Sequence, residues 1–238
     1  MAFSDVTLPR TDAAGLRAAV PDTLARLVAE VAAIVADPGV AEADIVRCLD
    51  RGLLCVAGAS RLPELATEAL LELAPGQPFA VLPADWQHGP THAFLLPGRQ
   101  RLRLLPGLAA LRIHTARRVA RGRIRYLAPA GGRLYLQPVP EAACSLEVGY
   151  FRLPQPLAGA ADKPLCLPPD LVAPLLVNFA CRDLFERLEE GAAERKVQTT
   201  AYGRRFDAAL AELLGRVGPV QEEPVDIPCP SPFEENWP

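Results

Sequence analysis

The N-terminal part of the chain carries two apolar stripes with helical spacing. Pro21-Asp22-Thr23 can begin a helix, because proline tolerates the first helical position and an acid suits the positive end of the helix dipole. Asp37-Pro38-Gly39 ends this helix, and a second one follows from about residue 41 to 57 with Gly58 as its expected C-terminal cap. The short connector predicts an antiparallel helical hairpin. Its two stripes are Leu24, Leu27, Val31, Ile34 and Ile45, Leu49, Leu53, Val56.

Helical spacing returns in the C-terminal third. Pro168-Pro169-Asp170 is expected to begin a helix that runs to about Glu190, and a further helix is expected from about Arg195 to Arg216. Both carry apolar residues along one side, so the four helices can bury one another's stripes as a bundle. The stripes consist of Leu171, Leu175, Phe179, Leu188 and of Tyr202, Phe206, Ala209, Leu213, Val217.

Between these helix pairs the pattern shortens to alternation, which is typical of strands. Residues 70–73 and 79–82 predict a β-hairpin around Pro75-Gly76-Gln77. Further strands are expected near Leu102–Leu104, Arg123–Tyr126, Leu134–Leu136 and Leu146–Tyr150, with a turn at Gly131-Gly132. The stretch from Leu108 to Val119 fits either a short helix or a strand.

These patterns predict an α+β fold: a four-helix bundle, made of two N-terminal and two C-terminal helices, with an inserted antiparallel β module and an extended C-terminal arm. We expect an N-terminal arm over 1–20, the bundle over 21–60 and 162–218, the β module over 61–161 and the C-terminal arm over 219–238. The C-terminal arm has six prolines, five acids and no basic residue, so it has too little apolar surface to fold alone.

Charge is distributed very unevenly along the chain. Residues 86–140 contain ten arginines and no acid, whereas the chain as a whole has a net charge of only −3. This block can be an interface with an acidic protein surface, a solvated outer face of a sheet, or a direct contact to nucleic acid. It lacks the interleaved aromatic residues of a base-stacking platform. The candidate basic interface comprises Arg99, Arg101, Arg103, Arg117, Arg118, Arg121, Arg123 and Arg125.

The sequence offers no pattern typical of catalysis or of cofactor binding. It contains neither a Gly-x-Ser-x-Gly elbow nor a phosphate-binding Gly-x-x-x-x-Gly-Lys loop. His88 and His92 have i, i+4 spacing, but Gly89-Pro90 between them breaks any helix, and no Cys-x-x-Cys pair exists. We therefore expect no catalytic residue, no cofactor and no metal, and a protein that is not an enzyme.

The expected compartment follows from the cysteines and the hydropathy. The six cysteines lack short paired spacings, and residues 1–10 do not resemble a secretory leader, so we expect reduced, mostly buried thiols in a cytoplasmic product. No run approaches 18 uninterrupted apolar residues, so no membrane association is expected.

Five strings, in this order, resemble those of a known family. They are Ala43–Leu54 (ADIVRCLDRGLL), Leu82–Trp86 (LPADW), Leu134–Pro140 (LYLQPVP), Tyr150–Pro154 (YFRLP) and Leu167–Leu171 (LPPDL). Together they are similar to the head-to-tail adaptor, or head-completion, proteins of tailed bacteriophages. The resemblance covers roughly residues 20–217, and LPADW after the predicted β-hairpin is its most specific part.

This resemblance implies a structural virion protein without catalytic residues. Such adaptors typically form a ring of twelve copies beneath the portal, extend the DNA channel and offer a docking platform to tail or neck proteins. Their common fold is a helical bundle, in several members with a β-rich insertion and a C-terminal arm that embraces the portal. The implied partners are further copies of the chain, the portal, a downstream tail or neck protein, and genomic DNA that passes without sequence-specific binding. The implied location is the virion neck, after assembly in the host cytoplasm.

Two surfaces of this chain would serve that role. The first is the C-terminal arm, which would hold the portal through apolar anchors and meet basic portal grooves with its acids. Its candidate residues are Pro219, Glu222, Glu223, Asp226, Phe233 and Trp237. The second is the basic interface, which we expect to lie away from the DNA channel because arginines there would retard the duplex. Alternatives are another neck component, a stopper or tail terminator, and a nucleic-acid-binding module that uses the basic block.

Overall fold

The computed structural model describes residues 22–115, 121–189 and 196–220. Its helices and strands are, in chain order, α1 (Leu24–Val35), α2 (Glu42–Ala59), β1 (Ala66–Leu73), β2 (Phe79–Val81), β3 (Trp86–Leu96), β4 (Gln100–Arg101), β5 (Arg103–Leu104), α3 (Leu108–Thr115), β6 (Tyr126–Ala130), β7 (Arg133–Gln137), β8 (Cys144–Arg152), α4 (Val172–Leu188) and α5 (Val197–Val217). The predicted α+β class is confirmed.

Helix α4 is the centre of the helical part, because α1, α2 and α5 all pack against it. The apolar stripes of these four helices form one buried cluster. Gly52 lets α2 approach α4 closely, since a Cβ at this position would lie 3.0 Å from the Phe179 ring. The helices therefore bury one another's stripes as expected, while their arrangement as a four-helix bundle stays a prediction.

The strands form two four-stranded sheets. The first has the order β1-β8-β3-β4 and is antiparallel, and the second has the order β2-β7-β6-β5, in which β5 and β6 are parallel. Alternate residues of both sheets point into one shared apolar cluster that includes Leu95, Leu127, Leu136 and Leu146. The module is thus mainly antiparallel, as predicted, and its core lies between two sheets.

The predicted hairpin over residues 70–73 and 79–82 is wrong. Strands β1 and β2 belong to different sheets: β1 pairs with β8 and β2 pairs with β7. Pro75-Gly76 does turn the chain, but the turn takes it from one sheet to the other, and Gly76 N donates to Pro140 O instead of closing a hairpin. The Gly131-Gly132 turn does connect an antiparallel pair, β6 and β7.

Three smaller expectations also need correction or completion. Gly58 is not a cap, because α2 continues to Ala59 and ends at Ser60, whose hydroxyl donates to Val56 O. The segment around Leu102 forms two short strands, one in each sheet, because the buried Leu102 lies at the crossing between them. Residues 108–115 are helical.

The boundaries between helical part, β module and arms stay a prediction. Strand β8 ends at Arg152, and the chain then reaches α4 through a loop with several turns. Phe151, the penultimate residue of β8, belongs to the helical cluster and not to the cluster between the sheets. The last residues of β8 therefore join the two parts.

Candidate interaction surfaces

Three arginines of the predicted basic interface lie on one short segment at the side of the second sheet. The backbone from Arg121 to Arg125 runs beside β7, with Gly122 N donating to Val139 O (2.9 Å) and Arg125 N donating to Gln137 O (3.0 Å). Ile124 is buried, whereas Arg121, Arg123 and Arg125 are exposed. We call these three residues the arginine ladder.

The ladder has no counter-charge within residues 22–115, 121–189 and 196–220: none of its arginines forms an ion pair there. Arg103 is its neighbour on β5, where Arg103 N donates to Arg125 O (2.9 Å). The ladder is therefore a local concentration of unneutralised positive charge on the second sheet.

The other predicted basic residues lie elsewhere or outside the described part. Arg99 is held on the first sheet by Glu147 (3.0 Å) and lies over the Phe94 ring. Arg101 is exposed on β4 of that sheet. Arg117 and Arg118 fall outside the described residues. The structure thus brings the ladder and Arg103 together, and it places Arg99 and Arg101 on the other sheet.

The beginning of the C-terminal arm is fixed at the end of α2. Pro219 forms a β-bridge with Ser60, Val220 N donates to Ala59 O (3.1 Å) and Arg61 N donates to Gly218 O (3.3 Å). Residues 221–238, which include the predicted Glu222, Glu223, Asp226, Phe233 and Trp237, lie outside the described residues. The arm therefore starts beside the connection between the helical part and the β module.

Two of the strings quoted above hold each other. The Tyr150 hydroxyl donates to Asp85 Oδ1 (2.8 Å), and the Trp86 ring stacks on the Tyr150 ring at 4.8 Å. Leu153 N also donates to the backbone oxygen of Asp85 (2.6 Å). LPADW and YFRLP therefore act as a structural lock between the start of β3 and the end of β8. Sequence spacing gives no sign of it, since the two strings are more than 60 residues apart.

The helical strings also make internal contacts. Asp183 of α4 is buried and accepts from Arg51 (2.9 Å), Arg187 (3.2 Å) and the Cys48 thiol (3.2 Å). Burial, with Asp183 as a further cause, raises the pKa of Cys48 to about 11, so the thiol stays protonated and donates. Asp50 accepts from Leu157 N (2.9 Å), which ties α2 to the segment that leads to α4.

The five strings lie within the stretch that a comparison with known protein families matches. The family model of the SU10 adaptor protein matches residues 22–224 and so includes all five strings. The chain belongs to the SU10 adaptor protein family. No curated protein matches the chain.

Membership of the SU10 adaptor family supports a structural role as a bacteriophage adaptor and a place in the virion. An adaptor family also implies a non-enzymatic role. Among the helices of the described residues, none combines the length and the apolar character needed to span a membrane.

The structure also brings together one group of side chains with metal-ligand chemistry that the sequence did not reveal. Glu68, His92 and Glu147 lie on β1, β3 and β8 with one ligand-type atom each within 4.8 Å of the others. Gly149 makes room for the imidazole, because a Cβ there would lie 2.1 Å from His92 Cε1. His92 Nε2 pairs with Glu68 (3.1 Å), and Arg99 neutralises Glu147. The His92–Glu68 hydrogen bond and the Arg99–Glu147 ion pair account for this group. His88, the other histidine of the i, i+4 pair, stacks on Phe151 instead.

The lock between Asp85 and Tyr150 gives the first testable prediction. Burial raises the pKa of Tyr150 to about 12, with the Asp85 hydrogen bond and charge as further causes. Tyr150→Phe should lower the free energy of unfolding at pH 7 by about 1–2 kcal/mol, because Asp85 loses its donor. Since the pKa of Tyr150 is raised in the folded state, its contribution is present below pH 10 and is lost as the pH rises through about 12.

Urea unfolding of wild type and Tyr150→Phe from pH 7 to 11 measures this. The difference in the free energy of unfolding between wild type and Tyr150→Phe should narrow above pH 10. Tyr135→Phe is the matched control, because the Tyr135 hydroxyl makes no hydrogen bond within the described part of the chain, and it should change stability little. Equal effects of both substitutions at pH 7 would contradict the role assigned to the lock.

Proposed function

We propose that this SU10 adaptor family member is a head-to-tail adaptor that forms a ring, of twelve copies as is typical, beneath the portal. The ring extends the channel through which the DNA leaves and enters the head, and its far side is the docking platform for tail or neck proteins. The observation that carries the proposal is the family match over residues 22–224. The protein would be made and assembled in the host cytoplasm and would reside in the virion neck.

The described geometry supports this role in two ways. A closed ring needs side-to-side contacts between rigid subunits, and the joined helical part and β module supply a rigid body. Phe151 packs in the helical cluster and so holds the two parts to each other, and the lock at Asp85 and Tyr150 fixes the end of β8 that carries Phe151. The C-terminal arm, which begins at the fixed Pro219–Val220, then extends from that body toward the portal.

The arginine ladder fits a protein contact better than a DNA-facing channel wall. Exposed arginines without a counter-charge bind phosphates and would hold the passing duplex. We therefore assign the ladder to the neighbouring subunit or the tail side, where an acidic protein surface would match its charge.

Mass measurement and negative-stain imaging test the proposal. The purified chain is examined alone and after mixing with the portal protein encoded by the same genome. We expect rings of the chain on the portal. A discrete small oligomer that does not associate with the portal would favour a stopper or tail terminator instead.

The unneutralised ladder favours a second candidate, a nucleic-acid-binding module. Three arginine–phosphate contacts would make the logarithm of duplex affinity fall with the logarithm of salt concentration at a slope of about −2.7. Fluorescence anisotropy with a DNA duplex measures this slope. Indifference to DNA supports the adaptor, and a steep slope that Arg123→Gln reduces by about 0.9 supports DNA binding.

A further inference from the structure

Opposite charges are concentrated in two separate parts of the chain. The arginine ladder presents three exposed positive charges with no ion-pair partner among the described residues. The eighteen residues from 221 to 238 contain five acids and neither lysine nor arginine. These acids are Glu222, Glu223, Asp226, Glu234 and Glu235.

We propose that, in the free protein, residues 221–238 dock on the arginine ladder of the same molecule. The acidic segment thereby covers the ladder until a partner with higher affinity takes the segment away. The ladder is then a masked interaction surface, and the C-terminal arm is its occupant.

The arm is long enough for this contact from the place where it starts. Val220 is fixed by its hydrogen bond to Ala59 O. Eighteen residues can span up to about 60 Å when extended. A folded body of about 200 residues has a radius of gyration of only about 16 Å. The segment can therefore reach the second sheet from the end of α2.

Because the acidic segment is covalently connected to the ladder of its own molecule, docking within one molecule is favoured over docking on a second copy. A short tether holds its ligand at an effective concentration of about a millimolar. The purified chain at micromolar concentration offers far fewer ladders from other molecules. Docking within one molecule is therefore favoured in dilute solution.

The chemistry of the contact makes it easy to release. Pairs between exposed arginines and carboxylates are individually weak and are screened by salt. A partner that buries the apolar side chains of the segment, such as Phe233 and Trp237, can outcompete such a contact. This last step rests on the proposed function: capture of the arm by the portal would expose the ladder only on subunits that are already attached.

The masking is tested on the full-length free protein with a polyanionic probe, a labelled single-stranded oligonucleotide at low salt. Replacing the five acids of the segment with Gln, or Asn for Asp226, should tighten binding roughly tenfold, because the ladder becomes accessible. The matched control neutralises five exposed acids elsewhere and changes the net charge equally. These are Glu30, Glu42, Glu64, Glu186 and Asp207. The control should bind like wild type.

A third variant assigns the effect to the ladder. In an Arg121→Gln, Arg123→Gln, Arg125→Gln background, neutralising the segment should no longer change probe binding. An equal response of the segment variant and the matched control, or a response that persists without the ladder, would overturn the proposal.

Crosslinking distinguishes docking of the segment within one molecule from docking between two molecules. The full chain carries p-benzoylphenylalanine in place of Arg123, and equal amounts of unlabelled and ¹⁵N-labelled protein are mixed before irradiation. We expect crosslinks to residues 221–238 within copies of one label only. Crosslinks between differently labelled copies would show a second copy as the occupant and overturn the proposal. No portal is present in these experiments, so a failure of portal binding leaves their outcome unchanged, and the reverse also holds.

Discussion

A chain that ends at Val220 is expected to fold normally and to lose its attachment to the portal. Val220 keeps its hydrogen bond to Ala59, and among the described residues the helical cluster includes none beyond position 217, so we expect the described body to stay folded after the deletion. The two aromatic anchors, Phe233 and Trp237, are lost with the arm. Since each such anchor contributes about 2 kcal/mol or more to an interface, portal affinity should fall by about a thousandfold. Co-sedimentation with portal rings measures this loss, and circular dichroism with thermal unfolding measures the fold.

Full-length variants show whether the aromatic residues or the acids of the arm hold the portal. Phe233→Ala with Trp237→Ala should reproduce most of the loss, whereas Glu234→Gln with Glu235→Gln should weaken attachment mildly and mainly at low salt. Normal attachment of the truncated chain would refute the assignment of the arm to the portal. Unfolding of the truncated chain would instead show that the arm belongs to the folded body.

The helices could be predicted from the sequence because their evidence is local. The stripe from Leu24 to Ile34 and the one from Ile45 to Val56 each lie within one helix, and the bounds found for α1 and α2 differ by a few residues at most from those expected. The error at Gly58 has a local cause as well. Glycine is the usual cap, but the Ser60 hydroxyl bonds to Val56 O and ends the helix two residues later.

The positions of several strands could be predicted from the sequence, but their pairing into sheets could not, because the paired residues are far apart in the chain. Residues 70–73 and 79–82 are neighbours in the chain with a turn between them, which favours a hairpin. Leu71, however, pairs with Leu146, and Ala80 pairs with Leu134. Both partners bring further apolar side chains to the cluster between the sheets, which a two-stranded hairpin could not bury.

The candidate surfaces were accessible to sequence reasoning to different degrees. The concentration of arginines between residues 86 and 140 is visible in the sequence, but its division between two sheets depends on where β4 ends and β5 begins. The resemblance to phage adaptors likewise rests on strings whose contacts join distant positions, as at Asp85 and Tyr150. A sequence shows that such residues occur, and only the fold shows that they meet.

Leu49→Ala should be the most destabilising single substitution considered for the helical part. Leu49 is fully buried in the cluster formed by α1, α2, α4 and α5, where α4 already approaches α2 closely through Gly52 and Phe179. The packed helices cannot collapse into the space left by the side chain, so we expect a loss of about 2–5 kcal/mol in the free energy of unfolding. In a domain of this size that corresponds to a fall of about 4–20 °C in Tm.

Leu54→Ala is the matched control, because Leu54 lies on the same helix and within the same family string but is 45% exposed. It removes the same atoms from a position that buries few of them, so the free energy of unfolding should change by about 0.5 kcal/mol or less. Urea unfolding of both variants measures the difference. If Leu54→Ala leaves the fold intact but weakens ring formation on the portal, the exposed Leu54 side chain contacts a partner in the assembly. One face of α2 would then pack in the core and the other would contact that partner. Equal stabilities of Leu49→Ala and wild type would contradict the packing of α2 against α4 described above.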